Sequence, residues 1–407
     1  MKKKPELLAP AGNLEKLRTA VDFGADAVYL GGNKLNLRAF ADNFTDKELE
    51  EGLKYVHDRG KKAFVTVNVF PHNEDLIGLK DYLRKLYEMN VDGIIVSDPG
   101  IIMTAREIVP DLDLHLSTQS NNVNWMSAVF WYKQGIKRII LARELSLKEI
   151  REIREHLPED CQIEVFVHGA MCMAYSGRCM LSNYMTGRDS NRGECAQPCR
   201  YKYYLMEEKR PGEYFPVFED TKGDYILNSR DLCMIEHIPE LVKAGIDSFK
   251  IEGRMKSAYY VATVVKGYRR ALDSYFDNPD RYVFKRKWME DLMKASHRKY
   301  YTGFYFGDRD SQIFESSSYV RDYDIVGVVR NYDENSSTAV VEQRNKVYSG
   351  DNVEVLSPAG DNFNVCLKNM KNEGGEKIKS APAAQMIFTV SVDRKLKKGD
   401  MLIKAKK

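Results

Sequence analysis

Cysteine is the residue type whose placement in this chain points most directly to chemistry. Seven cysteines occur in 407 residues, and four of them, Cys172, Cys179, Cys195 and Cys199, fall within one short stretch. A fifth, Cys233, follows at a distance. In a reducing compartment, grouped thiols bind metal or carry out redox chemistry more often than they form disulfides. The stretch is therefore predicted to hold a metal centre.

The spacing of these five thiols allows two kinds of centre. An iron–sulfur cluster needs four soft thiolates that converge, and five candidates compete for the four places. A structural zinc ion with four cysteine ligands is the alternative, although only Cys195 and Cys199 have the close spacing usual in zinc sites. Cys161 and Cys366 lie in strand-like contexts and are predicted to be small core residues.

The elements that must position the thiols can be predicted from hydrophobic pattern. Short apolar runs alternate with amphipathic stretches, which is typical of parallel strands buried on both faces with helices between them. The predicted strands are Glu6–Pro10, Ala27–Gly31, Ala63–Phe70, Gly93–Ser97, Leu114–Thr118, Arg138–Ala142, Ile163–His168 and, much later, Ser248–Glu252. The predicted helices are Asn13–Phe23, Asp46–Arg59, Glu74–Met89, Asn124–Gln134, Leu147–His156 and Lys256–Phe276.

Eight such units predict a (β/α)8 TIM-barrel-like domain. An open doubly wound sheet is the alternative, but the first strand runs into APAGN, which lacks the glycine fingerprint of a dinucleotide site. The cysteines lie in a long insertion after strand 7, and the loop after a barrel strand opens on the catalytic face. Beyond Arg321, short alternating strands predict a small all-β barrel domain. The predicted bounds are 1–315, with the insertion at 170–235, and 321–407.

Polar residues at the ends of the predicted strands are candidates for the active site of a barrel. They are Asn68, Ser97, Asp98, Thr118, Gln119, Arg143, Glu144, His168, Glu252 and Arg254. His168 could move a proton, or it could be a hydrogen-bonded supporting residue. Glu252 and Arg254 could grip a carboxylate or phosphate, or pair with each other. His168, Glu252 and Arg254 are the predicted catalytic residues, whereas Asp98 could simply cap the next helix.

Three segments mix basic and aromatic residues in the way that RNA-binding surfaces do. They are Arg200–Tyr204, Arg281–Trp288 and Arg298–Phe306. Phosphate contacts could give affinity and aromatic rings could stack an exposed base, but ordinary amphipathic surfaces have the same composition. The candidate RNA-binding residues are Arg200, Lys202, Lys285, Arg286, Arg298 and Lys299.

The segment from Glu164 resembles a family signature. It reads Glu-x-Phe-x-x-Gly-Ala-Met-Cys, then four residues, then Gly-x-Cys-x-Leu-Ser. This pattern is similar to that of the U32 family, the collagenase-like peptidases of unknown catalytic type. Further matching segments are ELLAPAG, HLSTQ, SRDLC, FKIEGRMKS and YTGFYFG, so the resemblance covers nearly the whole chain.

The resemblance implies a hydroxylase rather than a peptidase. Related proteins include a quinone-hydroxylating pair with iron–sulfur clusters and proteins that hydroxylate ribosomal or transfer RNA, and this chain looks most like the branch that acts on tRNA uridine. That implies iron–sulfur-dependent formation of 5-hydroxyuridine at the wobble position, with prephenate as a required metabolite. Similarity to the quinone-hydroxylating relative implies Cys172, Cys179, Cys195 and Cys233 as ligands of a 4Fe-4S cluster, with Cys199 as the alternate ligand.

Composition sets the remaining expectations. With 62 basic and 59 acidic residues, the net charge of +3 neither requires nor excludes a nucleic-acid partner. The sequence has no apolar run long enough to span a bilayer and no signal peptide, so we expect a cytoplasmic protein with no membrane partner. Its expected partners are tRNA and, in a homo- or hetero-oligomer, another family member. A U32-type peptidase and a structural-zinc RNA-binding module remain alternatives, although HExxH and G-x-S-x-G motifs are absent.

Overall fold

The strands of the N-terminal part form a closed parallel barrel. The computed structural model describes residues 3–36, 43–172, 174–200, 204–206, 209, 211–212, 214–216, 230–307 and 319–406. Its first twelve strands are β1 (Glu6–Pro10), β2 (Ala27–Gly31), β3 (Lys62–Val67), β4 (Gly93–Val96), β5 (Leu114–Leu116), β6 (Arg138–Ile140), β7 (Gln162–Ala170), β8 (Tyr204–Met206), β9 (Tyr214–Pro216), β10 (Asp231–Cys233), β11 (Ser248–Ile251) and β12 (Tyr300–Tyr301). Strands β1 to β7 pair in order, and β11 pairs in parallel with both β7 and β1. This closure confirms the predicted (β/α)8 architecture.

Helices follow most barrel strands and cover the outside of the barrel. They are α1 (Leu14–Asp22), α2 (Asp46–His57), α3 (Leu79–Glu88), α4 (Pro99–Ile108), α5 (Trp125–Lys133), α6 (Leu147–His156), α7 (Leu181–Thr186), α8 (Ile238–Lys243), α9 (Ala258–Asp277) and α10 (Arg286–Met293). The list of predicted helices left out α4, although Asp98 was predicted as a possible cap at that point. Asp98 caps that helix, because its Oδ1 accepts a hydrogen bond from the backbone N–H of Ile101 at 3.0 Å.

The insertion after β7 returns to the barrel wall. Its strand β10 pairs antiparallel with the end of β7, and β12 then pairs with β10. The sheet therefore carries two strands beyond the closed barrel, next to the place where β7 and β11 meet. The end of the insertion, at β10, and the later strand β12 therefore both lie beside the carboxyl end of β7.

A second sheet forms after residue 319. Its strands are β13 (Tyr323–Asp333), β14 (Thr338–Gln343), β15 (Val347–Tyr348), β16 (Asn352–Leu356), β17 (Phe363–Cys366), β18 (Lys368–Asn372), β19 (Ser380–Ala381), β20 (Ile387–Ser391) and β21 (Met401–Ala405). Seven of them form one antiparallel sheet in the order β17-β16-β21-β13-β14-β20-β18, and this sheet has its own hydrophobic core. The all-β domain is confirmed. The bounds 1–315 and 321–407 stay a prediction, since residue 315 lies outside the described residues.

The β domain packs directly on the barrel domain. Val328, Leu356 and Met401 belong to the same buried cluster as the barrel core. Lys294, just after α10, contacts Glu354 of β16 at 2.7 Å, and both side chains are largely buried. The two domains therefore share apolar and charged contacts. Among the described residues, no helix is long and apolar enough to cross a membrane.

Charged residues inside the barrel hold its last strands together. The Glu164 carboxylate on β7 is fully buried and accepts from Arg138 of β6 at 3.0 Å and from Lys250 of β11 at 2.7 Å. Arg138 also contacts Glu6 of β1 at 2.6 Å. Two cations and two carboxylates thus balance one another in a region that excludes water, and each is hydrogen-bonded. Burial lowers the pKa of Lys250, and Glu164 opposes that shift.

Removing one member of this network should destabilise the barrel. Glu164→Gln keeps the side-chain shape but leaves the charges of Arg138 and Lys250 under-compensated, so we expect the free energy of unfolding to fall by about 3 kcal/mol. Chemical denaturation measures it. Glu155→Gln, on an exposed position of α6, is the control and should change stability by less than about 0.5 kcal/mol. Equal stability of the two variants would show that the buried network does not hold the barrel closed.

Candidate functional site

The carboxyl ends of the barrel strands enclose a small polar space, here called the inner cavity, of about 70 Å³. Residues from the ends of β3, β5, β6 and β11 line it. Those predicted from the sequence are Asn68, Thr118, Gln119, Arg143, Glu252 and Arg254. The structure therefore brings together side chains that lie up to 186 residues apart in the chain, from Asn68 to Arg254.

Glu252 and Arg254 are held by neighbouring barrel strands. Glu252 accepts a hydrogen bond from the Tyr29 hydroxyl at 3.2 Å. Arg254 donates to Thr66 Oγ1 at 3.3 Å and to Asn43 Oδ1 at 2.9 Å. A side chain at Gly31 would overlap the guanidinium, so glycine is needed on β2 for Arg254 to lie there. Both predicted catalytic residues thus line the inner cavity, and their catalytic role stays a prediction.

Gly169 lets β7 and β11 approach closely at the mouth of the barrel. Its φ of +114° is one that residues with side chains rarely adopt, and a Cβ there would lie 2.6 Å from the carbonyl oxygen of Glu252. The backbone N–H of Glu252 donates to the carbonyl of His168 at 2.8 Å. The backbone geometry around Gly169 therefore sets the position from which the Glu252 side chain extends into the inner cavity.

A larger space of about 580 Å³, here called the outer cavity, lies above the inner one. The two are continuous, because Thr118, Gln119, Arg143 and Glu252 line both. The thiols of Cys172, Cys179, Cys195 and Cys199 also line the outer cavity. The insertion therefore places four cysteines directly over the carboxyl ends of the barrel strands.

Hydrogen bonds from the barrel hold the insertion in place. The Glu144 carboxylate accepts from both the backbone N–H and the hydroxyl of Ser176, each at 2.6 Å. Arg178 Nε donates to the carbonyl of Gln119 at 2.8 Å. Further out, Arg192 pairs with Asp75 at 2.8 Å. Because these contacts lie on three different barrel loops, the thiols are positioned by the barrel and not only by their own segment.

Neighbouring groups influence the ionisation of Cys172. Burial raises the pKa of Cys172, the neighbouring Arg143 opposes that shift, and Cys179 and Cys195 add to it. These three thiols are therefore close enough to interact electrostatically. Across the part of the chain that the structure describes, no three Cys, His, Asp or Glu side chains are gathered to hold a single metal ion. The thiols line a shared cavity and do not converge on the position of a single metal ion.

Cys233, the fourth ligand implied by the family resemblance, lies elsewhere. It ends β10, is 5% exposed, and lines neither cavity. Burial raises its pKa to about 12, and the Tyr268 hydroxyl donates weakly to its sulfur at 4.0 Å. Cys199, the alternate ligand, shares the outer cavity with the other three thiols. Of the remaining cysteines, Cys161 is fully buried, as predicted, and Cys366 is half-buried.

His168 lies behind the cavities rather than in them. It is 1% exposed, and the rings of Tyr260, Tyr268 and Tyr300 surround it with centroids 5.2 to 6.0 Å away. Burial lowers its pKa to about 3, so the ring is neutral at physiological pH. This position favours the supporting role that the sequence left open beside the catalytic one.

The predicted RNA-binding residues are dispersed. Lys285, Arg286 and Lys299 are exposed, whereas Arg298 is 3% exposed and lies over the Tyr319 ring at 4.6 Å. The side chain of Arg200 and all of Lys202 lie outside the described residues. None of the four described side chains lines either cavity.

Sequence reasoning missed several residues of the outer cavity wall. Arg188, Lys256, Tyr260, Tyr319, Arg321 and Tyr323 line it. The Lys256 ammonium lies 3.9 Å from the centre of the Tyr319 ring, so this wall pairs a cation with an aromatic face. Lys256 belongs to the FKIEGRMKS segment, which could have identified it. The others come from the insertion, from α9 and from the start of the β domain, which pattern alone does not bring together.

The buried neutral His168 should make stability depend on pH. The unfolded chain takes up a proton at this residue below about pH 6.5, whereas the folded chain stays neutral until about pH 3. Lowering the pH from 7 to 5 should therefore cost about 2 kcal/mol of unfolding free energy through His168 alone. Chemical denaturation at pH 7 and pH 5 measures the loss of unfolding free energy. In His168→Phe this loss should be smaller by that amount. His156→Gln, at an exposed position, should keep the wild-type loss; equal slopes in all three proteins would contradict the assignment.

Comparison with known proteins places the chain in a family. The model of peptidase family U32 matches residues 12–315, and that of the family U32 C-terminal domain matches residues 321–402. The tRNA hydroxylation protein P1 of Bacillus subtilis is 45% identical over 99% of this chain and 96% of its own length. The tRNA hydroxylation protein P of Escherichia coli is 41% identical, covering 93% and 92%. A collagenase of Porphyromonas gingivalis is 35% identical, covering 75% and 74%. The chain therefore belongs to peptidase family U32.

Proposed function

We propose that this protein is an enzyme that hydroxylates a uridine of tRNA at the wobble position, forming 5-hydroxyuridine with the help of an iron–sulfur cluster. The observation that carries the proposal is the outer cavity, where four cysteines share one space with aromatic and basic side chains at the mouth of the barrel. Two relatives similar to this chain over nearly all of its length are named tRNA hydroxylation proteins, which supports tRNA as the substrate.

The outer cavity suits a single nucleotide. Its volume of about 580 Å³ lies within the range of ligand pockets, whereas a base-paired helix could not enter it. An enzyme that modifies a base atom must take that base out of its stack, and an unpaired anticodon base is the easiest to extrude. The geometry therefore favours an exposed loop nucleotide over a paired one.

Other residues of the outer cavity wall offer the contacts that such a nucleotide needs. Tyr319 presents an aromatic face on which a base can stack, and Lys256 lies against that ring. Arg188 and Arg321 supply guanidinium groups for phosphate. Sequence-independent contacts of this kind position the RNA, while groups deeper in the barrel mouth contact the base itself.

Four thiols that line one cavity could supply the soft ligands that a 4Fe-4S cluster needs, and zinc remains the alternative. Cys172, Cys179 and Cys195 would hold the cluster, with Cys233 as the fourth ligand by family resemblance and Cys199 as the alternate. When bound, the cluster supplies electron transfer beside the base.

Three further parts of the proposal come from the family resemblance. They are a requirement for prephenate, a cytoplasmic location, and assembly into a homo- or hetero-oligomer with another family member. The structure adds one relevant fact, which is that the β domain contributes Arg321 and Tyr323 to the outer cavity. The cavity is therefore complete only when barrel and β domain are both present.

Proteolysis, the activity suggested by the family name, has less support from the site. A cysteine peptidase needs a thiol whose pKa is lowered, usually by a neighbouring histidine. Burial instead raises the pKa of Cys172, and none of the described residues lining the outer cavity is a histidine. Arg143 opposes that shift without reversing it, so Cys172 does not have the lowered pKa that a peptidase nucleophile needs.

Cysteine variants test the metal centre. Cys172→Ser and Cys179→Ser replace a soft thiolate with a poorly ionised hydroxyl, so anaerobically purified variants should lose most of their iron and sulfide. Iron and sulfide analysis measures the loss, and circular dichroism checks the fold. Cys366→Ser is the control, because that residue lies in the β domain and should not affect iron content. Comparing Cys199→Ser with Cys233→Ser identifies the fourth ligand. Normal iron in both Cys172 and Cys179 variants would rule the cluster assignment out.

Nucleoside analysis tests the RNA substrate. Cells lacking this protein should accumulate tRNA with unhydroxylated wobble uridine, while peptide turnover stays unchanged, because the site is built for a base and not for a peptide. Mass spectrometry of tRNA nucleosides measures this, in a strain that also lacks any second hydroxylating route. Wild-type protein should restore the modification and the Cys172→Ser variant should not. Full 5-hydroxyuridine levels in the deletion strain would refute tRNA as the substrate.

A further inference from the structure

We propose that a group of lysines on the β domain, here called the lysine surface, binds the phosphate backbone of the RNA outside the nucleotide that enters the outer cavity. The lysine surface consists of five exposed residues on β18, beside β15 and on the segment that leads into β19: Lys346, Lys368, Lys371, Lys377 and Lys379. This inference rests on the proposed RNA substrate, and it adds a second contact that neither cavity provides.

Backbone pairing joins these lysines into one surface. Lys371 of β18 lies directly opposite Lys377 on an antiparallel segment. Lys379 follows two residues later, and its carbonyl accepts a hydrogen bond at 3.0 Å from the backbone N–H of Ser349, just after β15. Paired strands lie about 5 Å apart, and residues two apart on a strand lie about 7 Å apart. The lysine side chains therefore leave the backbone within a small area.

The lysine surface lacks carboxylate partners. None of its five ammonium groups forms an ion pair with a described residue, whereas three other lysines of the β domain do: Lys395 pairs with Glu334, Lys404 with Asp351 and Lys406 with Asp324. The carboxylates closest in sequence to the β18 lysines are Glu373 and Glu376, in the turn that follows β18, and Glu376 accepts from the Asn372 amide at 2.9 Å. Positive charge therefore exceeds negative charge on this surface, which favours an anionic partner.

The pairing of Lys371 with Lys377 works against stability. Like charges directly opposite each other on paired strands repel, and they destabilise a sheet. Both side chains are exposed, so water and salt screen the repulsion, but no described carboxylate forms an ion pair with either of them. An anion bound across the pair would remove the repulsion. This arrangement is the observation that points most directly to a ligand.

The lysine surface begins at the rim of the outer cavity. Asn345 lines that cavity and donates to the Ile325 carbonyl at 2.7 Å, and Lys346 is the next residue in the chain. The Lys346 ammonium lies 5.0 Å from the centre of the exposed Tyr348 ring. An RNA strand that extends from a nucleotide in the outer cavity can follow this path, with its phosphates on the lysines and an unpaired base on the Tyr348 ring.

RNA fits the lysine surface better than an anionic membrane does. Surfaces that bind lipid combine basic residues with several apolar side chains that enter the bilayer. Between residues 321 and 406, all of which the structure describes, Tyr348 is the only large hydrophobic residue that is exposed. Lysines contact phosphates without reading bases, so we expect this surface to bind RNA independently of its sequence.

Binding of unmodified tRNA to the full-length protein at several salt concentrations tests the proposal, with fluorescence anisotropy as the measurement. The triple variant Lys371→Gln, Lys377→Gln, Lys379→Gln should bind at least about tenfold more weakly at about 0.1 M salt. The slope of log K against log salt should fall by about 2 to 3, because three phosphate contacts no longer release counterions. Its melting temperature should be unchanged or higher, because the repulsion between Lys371 and Lys377 is removed.

A matched control removes the same charge elsewhere on the protein. The triple variant Lys54→Gln, Lys80→Gln, Lys85→Gln changes α2 and α3, where each lysine pairs with a carboxylate. It should keep the wild-type affinity and salt slope. Exchanging the three tested lysines of the β domain for arginine should also preserve binding, because the positive charge remains.

The pattern across these variants decides between outcomes. Wild-type affinity in the β-domain glutamine variant, or an equal loss in the control, would overturn the proposal. If that variant keeps tRNA but loses binding to phosphatidylserine–phosphatidylcholine vesicles, the surface binds lipid and not RNA. Absence of tRNA binding by the wild type would refute both this surface and the RNA substrate. Binding that requires the three lysines in a protein that leaves uridine unhydroxylated would refute only the hydroxylation, so the two proposals can fail separately.

Discussion

The buried carboxylate of Glu164 joins the strands that close the barrel. It accepts from Arg138 on one neighbouring strand and from Lys250 on the other, and Arg138 continues the network to Glu6 on the first strand. Buried charges of this kind add little net stability over apolar packing, but removing one is costly because the others lose their partner. The network therefore specifies which strands meet. Without that closure, β11 would not deliver Glu252 to the same space as residues from β3, β5 and β6.

Closure has a geometric consequence for the insertion. In a closed parallel barrel all strands end on one ring, so a long segment leaving β7 can reach the ends of several other strands. The Glu144 carboxylate fixes that segment through Ser176, and Arg178 ties it to the strand end at Gln119. The thiols consequently face the barrel mouth, and the β domain completes the enclosure on the other side with Tyr323.

Arg143 connects the chemistry of the two cavities. Burial raises the pKa of Cys172, which disfavours the thiolate needed to bind metal, and the guanidinium of Arg143 opposes that effect. The same side chain also lines the inner cavity, where its buried Nε has no hydrogen-bond partner among the described residues.

The sequence alone determined the barrel, because strand and helix periodicity are local properties that each segment carries by itself. It also pointed to Asn68, Gln119, Arg143 and Glu252, since polar residues at strand ends must meet once the barrel closes. It left α4 out of the predicted helices, although it indicated Asp98 as a possible cap at that point. The family signature also identified the cysteine-containing segment as characteristic of the U32 family without any structure.

Tertiary structure decided which of these residues reach the cavities. His168 also ends its predicted strand, yet the tyrosine rings of α9 cover it, and this packing depends on a segment about a hundred residues away. Cys199 lines the outer cavity and Cys233 does not, although spacing left both as candidates. Lys256 and Tyr319 are distant in the sequence and form one wall only because tertiary structure places them in contact. Contacts between distant segments decide whether a residue is buried and whether its side chain lines a cavity. A local sequence pattern contains no information about those contacts.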